Sequence, residues 1–146
     1  MTTRSISHLI IGFGKAGKTL AADLAKHGES VILVEQSPAM YGGTCINIGC
    51  IPSKLLLVEG EKSARLTDKS AAFQAAMQRR EQLISALRAA NYNKLATIPG
   101  VEILTGTARF LSSNVVEVST EEGACQIEAE RIYINTGARP ATLALE

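Results

Sequence analysis

The sequence predicts an α/β fold: a parallel sheet wound from a βαβ unit, with long helices and a small antiparallel β-meander. Three observations carry this. The first 35 residues read strand, glycine turn, helix, strand. A helical pattern then fills most of residues 54 to 95. After Pro99–Gly100 the apolar period shortens to strand length.

SHLIIGF (residues 7–13) is a continuous apolar run, as in a strand buried on both faces. Ala16, Leu20 and Leu24, with Ala21 and Ala25, recur at helical spacing, and Gly28 suits the end of that helix. SVILVE (residues 30–35) is β-branched, apolar, and ends on Glu35. A crossover of this kind is right-handed and leaves its strands parallel. Pro38 and Gly42–Gly43 mark a loop. From Lys54 to about Leu95 the pattern is helical, with a break near Thr67–Ser70. Phe73, Met77, Ile84 and Leu87 form its stripe; Arg79, Arg80, Glu81 and Arg88 lie off it and read as a solvated face. VEILTG, TARFL, NVVEVS, CQIEA and RIYINTG follow, with turn signals at Gly106, Ser112–Ser113 and Glu122–Gly123. Their close spacing predicts the meander, with IYIN returning to the parallel sheet.

The chain's 146 residues suffice for one domain with its own core. Lys plus Arg number 15 against 14 Asp plus Glu, a net charge of +1, which gives no reason to expect nucleic acid or an acidic membrane surface as partner. No apolar run approaches the ~18–20 residues of a membrane span. MTTRSISHLIIGFG lacks the long apolar core of a signal peptide, so a cytoplasmic protein is expected. The three cysteines, Cys45, Cys50 and Cys125, are too few for a disulfide framework, and the close pair points to redox or metal chemistry.

GFGKAGKTLA (residues 12–21) fits two nucleotide-binding patterns. As G-x-G-x-x-G it is Gly12, Gly14 and Gly17, a dinucleotide-binding turn. As G-x-x-x-x-G-K-[ST] it is Gly12, Gly17, Lys18 and Thr19, a P-loop. Glu35 ends the second strand 18 residues past Gly17, close to the offset of ~20 at which a dinucleotide fold places the acid that binds ribose hydroxyls. That favours the first pattern. Gly12 then makes the tight turn, Gly14 lets backbone approach the pyrophosphate, and Gly17 lets the helix pack on the strand. Lys18 becomes a first-turn residue with modest attraction for phosphate. The P-loop NTPase remains the alternative, as does a glycine turn without a ligand.

GGTCINIGCIPSK (residues 42–54) puts two cysteines four residues apart at a helix start. On an ideal helix such a pair lies about 140° apart around the axis, so bridging it requires a distorted turn. Gly49 eases that distortion and Pro52 limits the exit. A strained short-loop disulfide is readily reduced, which suits catalysis, and the helix N-terminus and Lys54 favour thiolate. A metal pair and two inert thiols are the other readings. Zinc wants four ligands, and neither His8, opening the first strand, nor His27, ending the first helix, is placed to join the cysteines.

These motifs resemble the N-terminus of the flavoprotein disulfide reductases, the family of glutathione reductase, lipoamide dehydrogenase and mercuric reductase. GGTCINIGCIPSK is similar to their redox motif throughout, and INTGARP (residues 134–140) to their later threonine–glycine motif. AMYGGTCINIGCIPSK looks most like the subgroup of reactive-chlorine-resistance flavoproteins. The resemblance implies a Rossmann-like FAD-binding domain, of which residues 1–146 would be the N-terminal segment. Gly12, Gly14 and Gly17 would receive the FAD pyrophosphate, and Glu35 the adenosine ribose. Gly43, Thr44 and Lys54 would lie along the flavin, with Lys54 near its reactive nitrogen. Cys50 would be the flavin-side, charge-transfer thiol, and Cys45 the interchange thiol that attacks substrate. Backbone around Gly106–Ala108 would face the adenine, while Thr136 and Gly137 would close over the cofactor. The family's activity passes electrons from NAD(P)H through FAD to the disulfide, then to a small-molecule disulfide, a metal ion or an oxidant. Its nicotinamide motif, glycine–aspartate flavin motif and C-terminal dimerisation domain have no counterpart in these 146 residues, although the full-length family is homodimeric. The segment is therefore expected not to complete turnover alone, and a non-catalytic flavin or thiol redox sensor is the alternative.

Overall fold

The structure is a computed structural model that describes residues 3–139 and 141–142; Pro140, the last residue of INTGARP, lies outside them. One six-stranded sheet runs β3-β2-β1-β6-β5-β4. Its strands are β1 (Thr3–Ile11), β2 (Val31–Glu35), β3 (Val101–Thr105), β4 (Thr107–Phe110), β5 (Val115–Thr120) and β6 (Gly123–Ile134). The helices are α1 (Lys15–Lys26), α2 (Thr44–Asn47), α3 (Cys50–Ser63) and α4 (Lys69–Ala96).

The expected βαβ unit is present: β1 pairs in parallel with β2, His8 opposite Val31 through Ile11 opposite Val34. Every residue of β2 is buried, which is why its sequence is continuously apolar rather than alternating. The alternation lies in where its side chains go. Val31 and Leu33 join Ile10, Phe13, Ala21 and Leu95 on the face covered by α1 and α4. Ile32 and Val34 join Leu9, Val116, Val118, Ile127 and Ala129 on the face closed by the meander.

The strand region departs from expectation at both ends. VEILTG was expected in the meander, yet β3 pairs in parallel with β2, Val31 opposite Val101 through Glu35 opposite Thr105. The physical reason is the helical return: Tyr92, Leu95 and Ile98 pack into the same cluster as Val101 and Ile103, so the chain re-enters the sheet as a crossover strand. CQIEA and RIYI belong to one strand, which ends at Ile134. The first part of β6 runs antiparallel to β5, and from Gln126 onward it runs parallel to β1, as expected of IYIN. The antiparallel meander is therefore β4-β5-β6.

The helical region begins at Cys50, four residues before Lys54, and breaks between Ser63 and Lys69, slightly ahead of Thr67–Ser70. Pro52 sits in the first turn of α3, where its missing N–H costs no hydrogen bond. Asp68 caps α4 by accepting from Ala71 N at 2.9 Å. Of the expected stripe, Ile84 is buried but Phe73 is 61% exposed. The off-stripe arginines are not uniformly solvated: Arg79 pairs with Glu59 of α3, and Arg88 Nε donates to Asn47 Oδ1 at 3.0 Å. His8 lies inside β1 rather than at its start, and is 2% exposed.

Candidate functional site at the carboxyl ends of the parallel strands

β1 has β2 on one side and β6 on the other, so strand order reverses at β1. Open α/β sheets bind ligands at the carboxyl ends of their strands, at such a point. Most of the predicted site residues gather there.

Gly12 leaves β1 with φ +111°, and a Cβ on it would stand 2.3 Å from the Asn135 carbonyl oxygen. A Cβ on Gly17 would stand 2.4 Å from the Gly12 carbonyl oxygen and 2.6 Å from Asn135 Nδ2. The glycines therefore serve close approach, α1 onto β1 and β1 onto the end of β6. Asn135 completes this junction: its N–H donates to Ile11 O at 2.8 Å and its Nδ2 to Gly12 O at 3.1 Å. Within INTGARP the expected roles fell to Thr136 and Gly137 rather than to Asn135. An amide directly after an apolar strand that returns to β1 was the available signal.

Glu35 is 8% exposed. Its carboxylate accepts from Phe13 N at 2.9 Å and from Ser37 N at 3.2 Å, tying the end of β2 to the glycine turn. Gly106 N donates to Glu35 O at 2.9 Å, bringing the Gly106–Ala108 backbone beside the acid. Thr136 and Gly137 follow Asn135 and are exposed.

The cysteine segment docks on the same turn. Gly43 has φ +86°, and a Cβ there would stand 2.8 Å from Gly14 Cα, so the backbone that leads into Thr44 and Cys45 lies against the backbone of the glycine turn. Cys45 belongs to the single turn of α2 and Cys50 opens α3. The distortion expected between them occurs at Ile48–Gly49: both N–H groups donate to the Thr44 carbonyl, at 2.9 and 2.8 Å. Asn47 fixes the turn, its Nδ2 donating to Tyr41 O and Gly43 O at 3.0 and 2.9 Å. Cys45 and Cys50 are exposed free thiols here; Cys125, half-buried in β6, is also free.

One electrostatic expectation requires correction. The Cys45 thiol is pushed up rather than down, first by its hydrogen bond with Cys50, then by desolvation. A shared proton favours the thiol form, and α2 is too short for its dipole to offset that. Lys54 is exposed and makes no hydrogen bond or ion pair among the described residues. The cation that favours Cys45 thiolate is Lys18.

The two side chains that a P-loop would use both have protein partners. Lys18 Nζ donates to Asn91 Oδ1 at 2.5 Å and to Gly42 O at 3.3 Å. Thr19 Oγ1 donates back to Lys15 O at 2.7 Å, inside the helix. Among the described residues no group of three or more His, Cys, Asp or Glu could hold a metal ion, and no helix is long and apolar enough to cross a membrane.

This geometry has known counterparts. The chain is 48% identical over 131 residues to the probable pyridine nucleotide-disulfide oxidoreductase RclA of Escherichia coli (strain K12), a match covering 90% of this chain and 28% of that protein. It is 36% identical to the mercuric reductase of Streptomyces lividans, over 90% of this chain and 30% of that protein. The solved Cu(II) complex of the HOCl-induced flavoprotein disulfide reductase RclA from Escherichia coli superposes with a TM-score of 0.88 and 44% identity, covering 97% of this chain and 31% of that one. The chain thus spans about three-tenths of the length of these relatives. The sequence profile of the pyridine nucleotide-disulphide oxidoreductases matches residues 6–146, and the chain belongs to that family.

Proposed function

We propose that this chain is the N-terminal segment of an FAD-binding domain in an NAD(P)H-dependent flavoprotein disulfide oxidoreductase, and that Cys45 and Cys50 are its redox pair. The observation that carries the reading is the docking of Gly43 on Gly14, which brings the cysteine turn onto the dinucleotide turn. The residues fit a dinucleotide. Gly12, Gly14 and Gly17 leave no Cβ above the turn, and Glu35 is a nearly buried acceptor at the end of β2. These four would hold the pyrophosphate and ribose, with Gly43, Thr44, Lys54, Ala108, Thr136 and Gly137 around the rest. Bound flavin would supply two-electron chemistry between a nicotinamide donor and the thiols.

The chain's own residues would handle the sulfur chemistry. Cys45, as thiolate, attacks one sulfur of an oxidised substrate disulfide, whose other half leaves as a thiol. Cys50 then attacks the Cys45 sulfur of the mixed disulfide and releases the second thiol. One internal disulfide forms, one substrate disulfide breaks, and two electrons and two protons leave with the substrate. A metal ion or a chlorine oxidant accepting the same two electrons is equally compatible with an exposed pair. A cytoplasmic setting suits thiols that must be reduced again after each cycle, and assembly as a homodimer goes with the family.

The test is an absorbance spectrum of the purified chain, then titration with FAD. A bound yellow chromophore whose affinity falls in Glu35→Ala supports the reading. Reversible oxidation of Cys45 and Cys50 without flavin binding would make the chain a thiol redox sensor instead.

A further inference from the structure

Lys18 stands out as a charged group that the dinucleotide turn does not use. It is half-buried on α1 and joins three separate elements. Its Nζ donates to the Gly42 carbonyl, in the loop before α2, and to Asn91 Oδ1 on α4. Asn91 is held in that orientation because its Nδ2 donates to Leu87 O at 2.7 Å. The packing around Gly42 is close: a Cβ there would stand 2.6 Å from Ile46 Cδ1 and 3.4 Å from Asn91 Cγ. Gly42 leads through Gly43 and Thr44 directly into Cys45.

We propose that Lys18 is a positioning residue for Cys45: it clamps the Gly42 carbonyl to α4, sets the turn that carries the thiol, and stations a positive charge beside it. This rests on the reading of Cys45 as the outer thiol. Two further observations fit. Lys18 acts on Cys45 in the thiolate-favouring direction, against the opposing effect of Cys50. Burial, with Lys15 of α1 and Lys94 of α4, draws the Lys18 ammonium below its usual value, while Cys45 holds it up. On the elements packed around this pair the charged and titratable groups include Lys15 and Lys18 on α1, Cys45 on α2, Cys50 and exposed Lys54 on α3, and Arg88 and Lys94 on α4.

The experiment measures iodoacetamide labelling of Cys45 in the reduced chain as a function of pH, quantified by peptide mass mapping, with Cys125 as internal reference. Lys18→Met should slow Cys45 labelling near neutral pH about three- to tenfold, half to one unit on the pH axis, without changing Cys125. Lys18→Arg should restore most of the rate, because it keeps the charge. Asn91→Asp sets an anion against Lys18 and should slow Cys45 as Lys18→Met does. It also carries the test if Lys18→Met does not fold, as judged by circular dichroism. A Cys45 profile in folded Lys18→Met or Asn91→Asp that superimposes on the parent's overturns the proposal, as does an equal change at Cys125. Failure of the flavin reading would appear separately, as a purified chain that binds no FAD.

Discussion

The Asn135 side chain donates to the carbonyl oxygen of Gly12 at 3.1 Å, joining residues 123 positions apart in sequence. This bond couples the last strand of the sheet to the first turn. It predicts an order among substitutions. Asn135→Ala loses one part-buried hydrogen bond, about 0.5–1.5 kcal/mol. Asn135→Asp should cost more, because it sets a carboxylate against a carbonyl oxygen. Urea unfolding at neutral pH reads this order directly, and an Asn135→Ala midpoint equal to the parent's would mean that the bond contributes nothing.

Gly17→Ala should destabilise the chain by about 1–3 kcal/mol, as overpacking does. The added Cβ meets the Gly12 carbonyl at 2.4 Å as well as Asn135 Nδ2. Trimming Asn135 to Ala in the same chain should therefore not rescue it, because the harder obstacle is backbone. Full rescue in the double variant would shift the constraint to the Asn135 side chain.

The local parts of this site were legible in the sequence; the parts made by distant partners were not. Gly12, Gly14, Gly17 and Glu35 were readable because a βαβ unit fixes their spacing within 35 residues. The Cys45–Cys50 turn was readable for the same reason. By contrast, β3 and β4 are both short runs separated only by Gly106, yet one joins the parallel sheet and the other the meander, a choice made by where α4 returns the chain. Phe73 matched a helical stripe, but the residues of α4 that are buried are Ala76, Ile84 and Leu95, and Phe73 is exposed. Lys18 was assigned toward phosphate because its partner, Asn91, lies 73 residues away on another helix.

Glu35 should matter to the fold before any ligand binds. Its carboxylate satisfies the buried Phe13 N–H, so Glu35→Ala leaves a donor unpaired at a cost of about 1–3 kcal/mol. Glu35→Gln keeps an acceptor and should lose less. Thermal melts of the flavin-free chain separate this role from ribose binding. A Glu35→Ala melt identical to the parent's would confine the acid to the ligand.

Acid should weaken the start of the sheet through one ion pair. Arg4 Nη1 donates to Glu102 Oε1 at 2.8 Å, and its second nitrogen reaches Oε2, bridging β1 and β3. The Arg4 guanidinium holds the Glu102 carboxyl below the usual carboxylate range. A carboxylate depressed in the folded state stabilises above its unfolded pKa, ~4.3, and that contribution disappears as pH falls through the depressed value. Both side chains are about two-fifths exposed, which limits the pair to about 0.2–1 kcal/mol. Arg4→Ala should lower the urea midpoint at neutral pH and leave it unchanged well below the depressed value. A deficit that persists in strong acid would point to lost packing rather than lost charge.

Oxidation should separate the three thiols by their place in the fold. Cys45 and Cys50 flank the Ile48–Gly49 distortion and are both exposed, so mild oxidation should close a bridge between them. Cys125 packs partly against the cluster around Val116 and Ile127 on β6, where a half-buried thiol behaves as a small apolar side chain. It should stay reduced. After reduction, and with flavin bound, Cys45 should label before Cys50, because on the proposed assignment the flavin would shield Cys50. Proteolysis without reduction, followed by mass spectrometry, identifies the linked peptides. A bridge to Cys125, or first labelling of Cys50 in the flavin-bound chain, would reverse the roles given to these sulfurs.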